Sequence, residues 1–499
     1  MIFGLFQVLI AAFGCLIGII FGALPGMTAT MAVAVFLPMT YMWDLGTSMY
    51  FLLGLYVGGI TGGLVPAILI NIPGTPSSIT TGYEGHPMAK RGEGVRALKA
   101  GITASLIGGL FSLVVLAFFT PVLSKIAISF GAAEKFLIMI FALTMIAALS
   151  KGNIIKGVFT GMLGVFVSLI GVYSYNQKLR FVPKFLEADL RDGFQLLPLL
   201  IGLFAFAQIL EESEEGMKAC IVDDNIVHGK QAKTYKFREV FKGQTINVIR
   251  SCGIGTFLGI LPGIGGSASS LLSYSQAKSW SKHPELFGTG IEEGLLASES
   301  ANNAVTGGAL VPLLSLGIPG DSTTAVLLGA FTLQGISVGP LFIDRNPGLW
   351  YSILIALLVC NLLTYALMFF PVKQLAKIIK IPKSYLYPAI CLLCVVGAFS
   401  TRNGVLFDVV TLVLFGFVAY FFNKFGLPVT TFLIGFVLGG DIETYFMDAL
   451  QGNTGYLSCF FKKPADWILW ALILFSVGYA IWDDRREKNS NVENVLKSE

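Results

Sequence analysis

The sequence predicts an all-α, polytopic membrane protein: about 12 transmembrane helices plus re-entrant or broken helices, arranged as two inverted-topology repeats. Three observations predict it. Only 13% of the 499 residues are charged, about half the share of a soluble protein, against 55% apolar residues and a mean hydropathy of +0.75. The apolar runs are continuous and about 20 residues long, which fits helical spans and excludes the alternating pattern of a transmembrane β-barrel. A set of Gly-Pro blocks also occurs twice, in the same order.

The first apolar run, near 2–24, has no basic stretch before it and reads as a retained helix rather than a cleaved signal peptide. The runs near 27–43, 267–280 and 323–336 are short, polar or interrupted by glycine, and suit broken or re-entrant helices better than full spans. GLYVGGITGG (Gly54–Gly63) carries overlapping small-x-x-x-small pairs, Gly54/Gly58, Gly58/Gly62 and Gly59/Gly63, which favour close helix packing. A net charge of +4 is too mild to suggest nucleic acid. Of seven scattered cysteines, Cys391 and Cys394 form a C-x-x-C inside an apolar run and read as helix packing. His86, His228 and His283 fall in expected loops and do not cluster, so no metal or acid–base role is assigned to them.

Lysine and arginine in short loops set the orientation. Lys90, Arg91, Arg96 and Lys99 mark one cytoplasmic loop, Lys151 and Lys156 another, the basic residues of 211–243 a third, and Lys373, Lys377, Lys380 and Lys383 a fourth. Arg485, Arg486 and Lys488 put the C-terminus in the cytoplasm, and parity then puts the N-terminus outside. The expected division is a first repeat over 1–210, a cytoplasmic connecting loop over 211–243, a second repeat over 244–482 and a cytoplasmic tail over 483–499.

The repeat is carried by three blocks. The first copy reads GALPG (Gly22–Gly26), TGGLVP (Thr61–Pro66) and IPGTPSS (Ile72–Ser78); the second reads GILPG (Gly259–Gly263), TGGALVP (Thr306–Pro312) and IPGDSTT (Ile318–Thr324). Pro73 follows Pro66 by seven positions, as Pro319 follows Pro312. Opposite charge parity of the flanking loops makes the copies inverted, a pattern of secondary transporters with cargo held near the midplane between paired broken helices.

In each IPG block, proline ends one helix, glycine permits the turn, and Thr75 or Asp321 caps the next. The free N–H groups and dipole of that next helix make an anion site without any arginine, and the carbonyls freed by the break suit Na⁺. Local capping of a Pro-Gly kink is the plainer alternative. LPGM and LPGIGGSASS (Leu261–Ser270) form a second paired break, with Gly265 and Gly266 admitting close backbone approach and Ser267 supplying a hydroxyl. ASESANNAVTGG (Ala297–Gly308) puts Glu299, Asn302 and Asn303 in an otherwise apolar or small run. An acid at membrane depth is a functional candidate by default. An interfacial position for Glu299, close to Glu292 and Glu293, is the alternative, and for Asp321 a cap alone.

NIPGTPSSITTGYEGHPMAKRGEGVRAL (Asn71–Leu98), LPGIGGSASSLLSYSQAKSWSKHPELFGTGIEEGLLASESANNA and VPLLSLGIPGDSTTAVLLGAF resemble the signature blocks of the large membrane subunit of tripartite tricarboxylate transporters, the TctA-type family. The resemblance implies a non-enzymatic importer in the bacterial inner membrane. It works with a small four-helix membrane subunit and a periplasmic substrate-binding protein, carries citrate-like or other organic carboxylates, and uses a Na⁺ or H⁺ gradient with no other cofactor. It places cargo and cation at the tips Asn71, Gly74, Thr75, Ser77, Ser78 and Gly320, Asp321, Ser322, Thr323; Gly265, Gly266, Ser267, Asn302 and Asn303 are further expected contacts from their own chemistry. Asp321 is the expected cation ligand and Glu299 the expected coupling acid. Gly317 stands where the first copy has Asn71, so the two tips are not expected to act identically. An elevator-like movement follows by analogy with other carrier-fed transporters. The rival classes are an intramembrane enzyme or a channel using Glu299 and Asp321.

Overall fold

The computed structural model describes residues 4–148, 154–173, 175–215, 233–402, 404–452 and 456–478. Apart from a two-stranded hairpin (Gly171–Val172 with Leu179–Arg180), the regular structure described is helical. Among the described residues, eight helical stretches are long and apolar enough to cross a membrane, and five shorter apolar ones run 10–17 residues. The chain is a multi-pass membrane protein.

The first copy begins with α1 (Leu5–Ala23), α2 (Ala29–Phe36), α3 (Leu45–Gly62) and α4 (Leu64–Ile70). A single 3₁₀ turn (Pro76–Ser78) leads into α5 (Ile79–Met88), and α6 (Gly94–Ile128) follows. Next come α7 (Ala132–Ala148), α8 (Ile154–Ser168), α9 (Leu196–Ile201) and α10 (Ala207–Glu215), the last two joined by a π-helical turn, Gly202–Phe206. The second copy runs through α11 (Thr245–Ile260), α12 (Gly265–Trp280), α13 (Glu292–Leu316), α14 (Ser322–Leu333) and α15 (Pro347–Phe369). It continues through α16 (Lys383–Ser400), α17 (Leu406–Lys424) and α18 (Val429–Gln451), and a last apolar helix, Pro464–Gly478, follows. Because α10 continues to Glu215, the first residues of the expected connecting loop are helical; 216–232, with His228, lie outside the described residues.

Small residues let backbones touch. A Cβ on Gly54, Gly58 or Gly62 would stand 2.9, 2.5 or 2.7 Å from a carbonyl oxygen of α1. Gly255 and Gly308 play the same part between α11 and α13, so α1 on α3 and α11 on α13 are matching pairs. The copies then exchange partners. The long α6 packs on α13 of the other copy, and α15 packs on α3. Likewise α18 packs on α7 and α8, while the π turn, α9 and α10 pack on α17. In the last exchange Gly202 presses on the Leu412 carbonyl and Gly435 on that of Gly161. This interlocking ties each copy's core to the other and brings the breaks to one place.

Candidate functional site

Both tips follow one backbone plan. Asn71 and Gly317 end α4 and α13 in the left-handed conformation, at φ 57° and 76°. Ile72 N–H then donates to Pro66 O at 3.4 Å, and Ile318 N–H to Pro312 O at 3.3 Å. The difference in residue type is therefore absorbed at one structural position, since asparagine tolerates this region better than most side chains. Gly74 packs against the Gly22 carbonyl and Gly320 against that of Gly259. Thr75 and Asp321 cap the helices that follow, each in a reciprocal capping box, with Ser78 and Thr324 as the returning partners. The LPG breaks match as well: Gly26 and Gly263 both sit at φ 86°.

A cavity of about 460 Å³ lies where these breaks meet. Its wall is built from helix starts. Thr28–Thr30 open α2, Thr75–Ser77 lead into α5, Gly263–Ser267 open α12, Asp321–Thr323 open α14, and Pro428, Thr430 and Thr431 open α18. Phe204 supplies an apolar side. Hydroxyls link these starts: Thr30 Oγ1 lies 2.8 Å from Thr323 Oγ1 across the copies, Ser322 Oγ lies 3.0 Å from Thr430 Oγ1 within the second, and Thr160 bonds Thr431 behind the wall. No Lys or Arg is among the lining residues. Five N-terminal dipoles pointing at one polar space make a positive potential from backbone alone, the physical requirement for holding an anion without a cationic side chain.

Of the residues expected from the sequence, Thr75, Ser77, Gly265, Gly266, Ser267, Asp321, Ser322 and Thr323 line this cavity. Asn71 and Gly74 shape the first tip, and Gly320 the second, without lining it. Ser78 is turned inward, its hydroxyl engaged with the backbone and side chain of Thr75. Asn303 accepts from Thr61 Oγ1 at 2.7 Å and joins α13 to α3. Asn302 stands behind Gly266 and Ser77. Glu299 is wholly buried in the protein, taking hydrogen bonds from Thr81 and from Ser105 Oγ, the latter at 2.8 Å. His86 is on α5, not in a loop, with Nδ1 3.1 Å from Ile68 O. Asp321 is tied down twice: Oδ1 accepts from Thr324 N (2.7 Å) and Thr324 Oγ1 (2.8 Å), and Oδ2 from the buried Tyr56 hydroxyl (2.6 Å). Glu299 and Asp321 therefore hold different neighbours and form no acid pair.

Sequence reasoning missed Thr28, Thr30, Thr430, Thr431 and Tyr56. Thr28 and Thr30 follow the first LPG block as Ser267 follows the second, which was the available signal. Nothing local marked Tyr56 or the α18 threonines.

The profile of the Tripartite tricarboxylate transporter TctA family matches residues 8–434. An Agrobacterium vitis protein named "Uncharacterized 52.8 kDa protein in TAR-I ttuC' 3'region" is 33% identical over 479 residues, covering 96% of this chain and 94% of that protein. A second from the same organism, "Uncharacterized protein in TAR-II ttuC' 3'region", is 36% identical over 238 residues, 48% of this chain and 98% of its own length. No solved structure matches the chain. The profile match spans most of the polypeptide, from α1 into α18, and takes in every break that meets at the cavity, so the chain belongs to the tripartite tricarboxylate transporter TctA family.

Proposed function

We propose that this chain is the large transmembrane subunit of a binding-protein-dependent secondary importer. Its cargo is a citrate-like tri- or dicarboxylate or another organic carboxylate, and a Na⁺ or H⁺ gradient drives it. The observation that carries this reading is the convergence of five helix starts on a cavity of about 460 Å³ without a lysine or arginine. That volume falls within the roughly 300–1,000 Å³ of small-molecule sites. Carboxylate oxygens would take the free N–H groups near Ser77, Ser267 and Thr323 and the flanking hydroxyls, and Asp321 would present an oxygen to a cation accompanying the cargo.

In this reading 1–210 and 244–482 are inverted repeats, 211–243 joins them in the cytoplasm, and 483–499 is a cytoplasmic tail. The protein sits in the bacterial inner membrane with its N-terminus outside. A periplasmic binding protein delivers cargo, and a small four-helix membrane subunit completes the assembly. Movement is elevator-like, with the tips and α12 carried against a scaffold. An enzyme or channel built on Glu299 and Asp321 is the weaker alternative, because the two acids are engaged with separate partners. Uptake of labelled citrate and other carboxylates into vesicles, with and without binding protein and Na⁺, tests the reading. Uptake that needs the binding protein and collapses with the ion gradient is expected. A flux indifferent to both overturns it.

A further inference from the structure

Behind the cavity wall, α5, α12 and α13 meet along one seam. Its register is fixed at both ends. At one end a Cβ on Gly266 of α12 would stand 3.0 Å from Asn302 Oδ1 of α13 and 2.7 Å from Ser77 Cβ, just before α5. At the other end Glu84 of α5 accepts from Tyr274 Oη of α12 at 2.7 Å and from Gly288, Gly290 and Ile291 N–H, leading into α13. Ser273 Oγ of α12 donates to Ala297 O of α13 at 3.1 Å. Helical spacing then puts Thr80 of α5, Ser270 of α12 and Glu299 of α13 between the two ends.

This middle stretch is buried and unfinished. Glu299 and Ser270 are 0% exposed, Asn302 1% and Thr80 3%. The Ser270 and Thr80 hydroxyls and the Asn302 amide oxygen have no hydrogen-bond partner. The Asn302 amide stands beside the Glu299 carboxylate. Among the described residues no lysine or arginine pairs with Glu299; the hydroxyls of Thr81 and Ser105 donate to it. Buried polar groups are ordinarily satisfied, and a buried carboxylate ordinarily has a counter-charge. A hard monovalent cation repairs both deficits at once: it takes the orphan oxygens as ligands and supplies the positive charge.

The geometry points to a Na⁺ site at this α5–α12–α13 junction, with Glu299, Asn302, Thr80 and Ser270 as its side-chain oxygens, separate from the cavity in which Asp321 sits. It rests on the transport reading only for its purpose. Ser77 and Gly266 belong both to the cavity wall and to this seam, so a cation here draws the first tip and α12 together and shapes the anion site before cargo arrives.

The test uses the full chain purified in detergent, without cargo. Thermal stability is titrated with Na⁺, K⁺ and choline at constant ionic strength and at several pH values. Na⁺ is expected to raise the melting temperature in a saturable way that K⁺ and choline do not reproduce. Ser270→Ala, the smallest change, and Asn302→Leu should each require about tenfold more Na⁺ for the same protection. Ser270→Ala should melt like wild type in choline, which separates ligand loss from misfolding, and Asp321→Asn should keep the protection. Equal effects of Na⁺ and K⁺, protection set by pH alone, unchanged titrations in both seam variants, or loss in Asp321→Asn would each overturn the site. A chain that binds Na⁺ but moves no carboxylate keeps this site and loses the transport reading. A chain that moves carboxylate with no Na⁺ effect on stability does the reverse.

Discussion

Thr30 Oγ1 and Thr323 Oγ1 lie 2.8 Å apart, the first at the start of α2 in one copy, the second at the start of α14 in the other. Their hydrogen bond crosses 293 positions of sequence and closes one side of the cavity. It joins two different kinds of break, an LPG break and an IPG tip, so the copies meet by offset rather than by matching parts.

Thr323→Val keeps the side-chain volume and removes that hydroxyl. Loss of a neutral hydrogen bond should weaken cargo affinity by about 0.5–1.5 kcal/mol, and by about 1.5–3 kcal/mol if the hydroxyl bonds a carboxylate directly. Ser77→Ala should behave alike. Ser78→Ala should not: its hydroxyl serves Thr75 within the capping box, so stability should fall by about 1 kcal/mol with the apparent KM for uptake unchanged. Uptake kinetics and melting curves on the three variants check this. A raised KM with unaltered melting in Ser78→Ala would put that hydroxyl in the cavity after all.

Gly74→Ala and Gly320→Ala should be among the most damaging single-methyl changes in the protein. The new Cβ would overlap the Gly22 carbonyl in the first case and stand 2.6 Å from Ala309 Cα in the second. These contacts are backbone on both sides, so neither can yield, and overpacking of this kind costs about 1–3 kcal/mol. Gly265→Ala is the control. Nothing lies within 4 Å of its would-be Cβ, and only the positive φ of 63° resists, for roughly 1–2 kcal/mol. Melting temperatures should fall further in the first two variants; equal losses in all three would remove the close-packing argument.

The tips could be read from the sequence because their chemistry is local. Proline, glycine and a capping side chain determine the break within seven or eight residues, and Asn71 and Gly317 fall at the same left-handed position despite differing in type. The LPG breaks were legible for the same reason. The other side of the cavity was not. Thr30, Thr430 and Thr431 sit in apolar segments where a hydroxyl satisfied by its own helix is ordinary, and only tertiary packing brings them to the tips. Tyr56 meets Asp321 across 265 positions, with no local pattern to announce it. Glu299 was visible as an acid in an apolar run, but its depth depends on α6 crossing into the other copy to bring Ser105 against it. The exchange of α18 and α9 between copies left no local signature, because it rests on single glycines, Gly202 and Gly435, in apolar runs.

Inverted copies require the segments after the two tips to face opposite sides of the membrane. Lys90 follows the first tip and Asp344 the second, and both are exposed. In a cysteine-free background, Lys90→Cys should react with a membrane-impermeant maleimide only after the inner membrane is opened. Asp344→Cys should react in intact spheroplasts. Labelling of both from one side would end the inverted-repeat argument and, with it, the expected positions of the termini.

Asp321 is the one acid in a cavity otherwise suited to anions, and this sets its role apart from that of its counterpart Thr75. As a cap it needs only one oxygen, and Oδ1 already serves Thr324; Oδ2 accepts from Tyr56 and keeps a lone pair for another partner. A full negative charge facing a carboxylate cargo is repulsive unless a cation lies between them, and the carbonyls of the broken segment supply further oxygens for one. If Na⁺ is shared between Asp321 and cargo, Asp321→Asn should raise the Na⁺ concentration for half-maximal cargo binding roughly tenfold. Folding should survive, because asparagine caps helices about as well as aspartate. Tyr56→Phe separates the effects: it removes one hydrogen bond to the carboxylate, costs about 1.5–3 kcal/mol of stability, and should leave the Na⁺ dependence of cargo binding in place. Cargo binding measured calorimetrically across Na⁺ concentrations decides the matter. An unchanged Na⁺ dependence in Asp321→Asn, at matched folding, would reduce Asp321 to a cap and leave the backbone carbonyls and the Glu299 seam to account for any coupling.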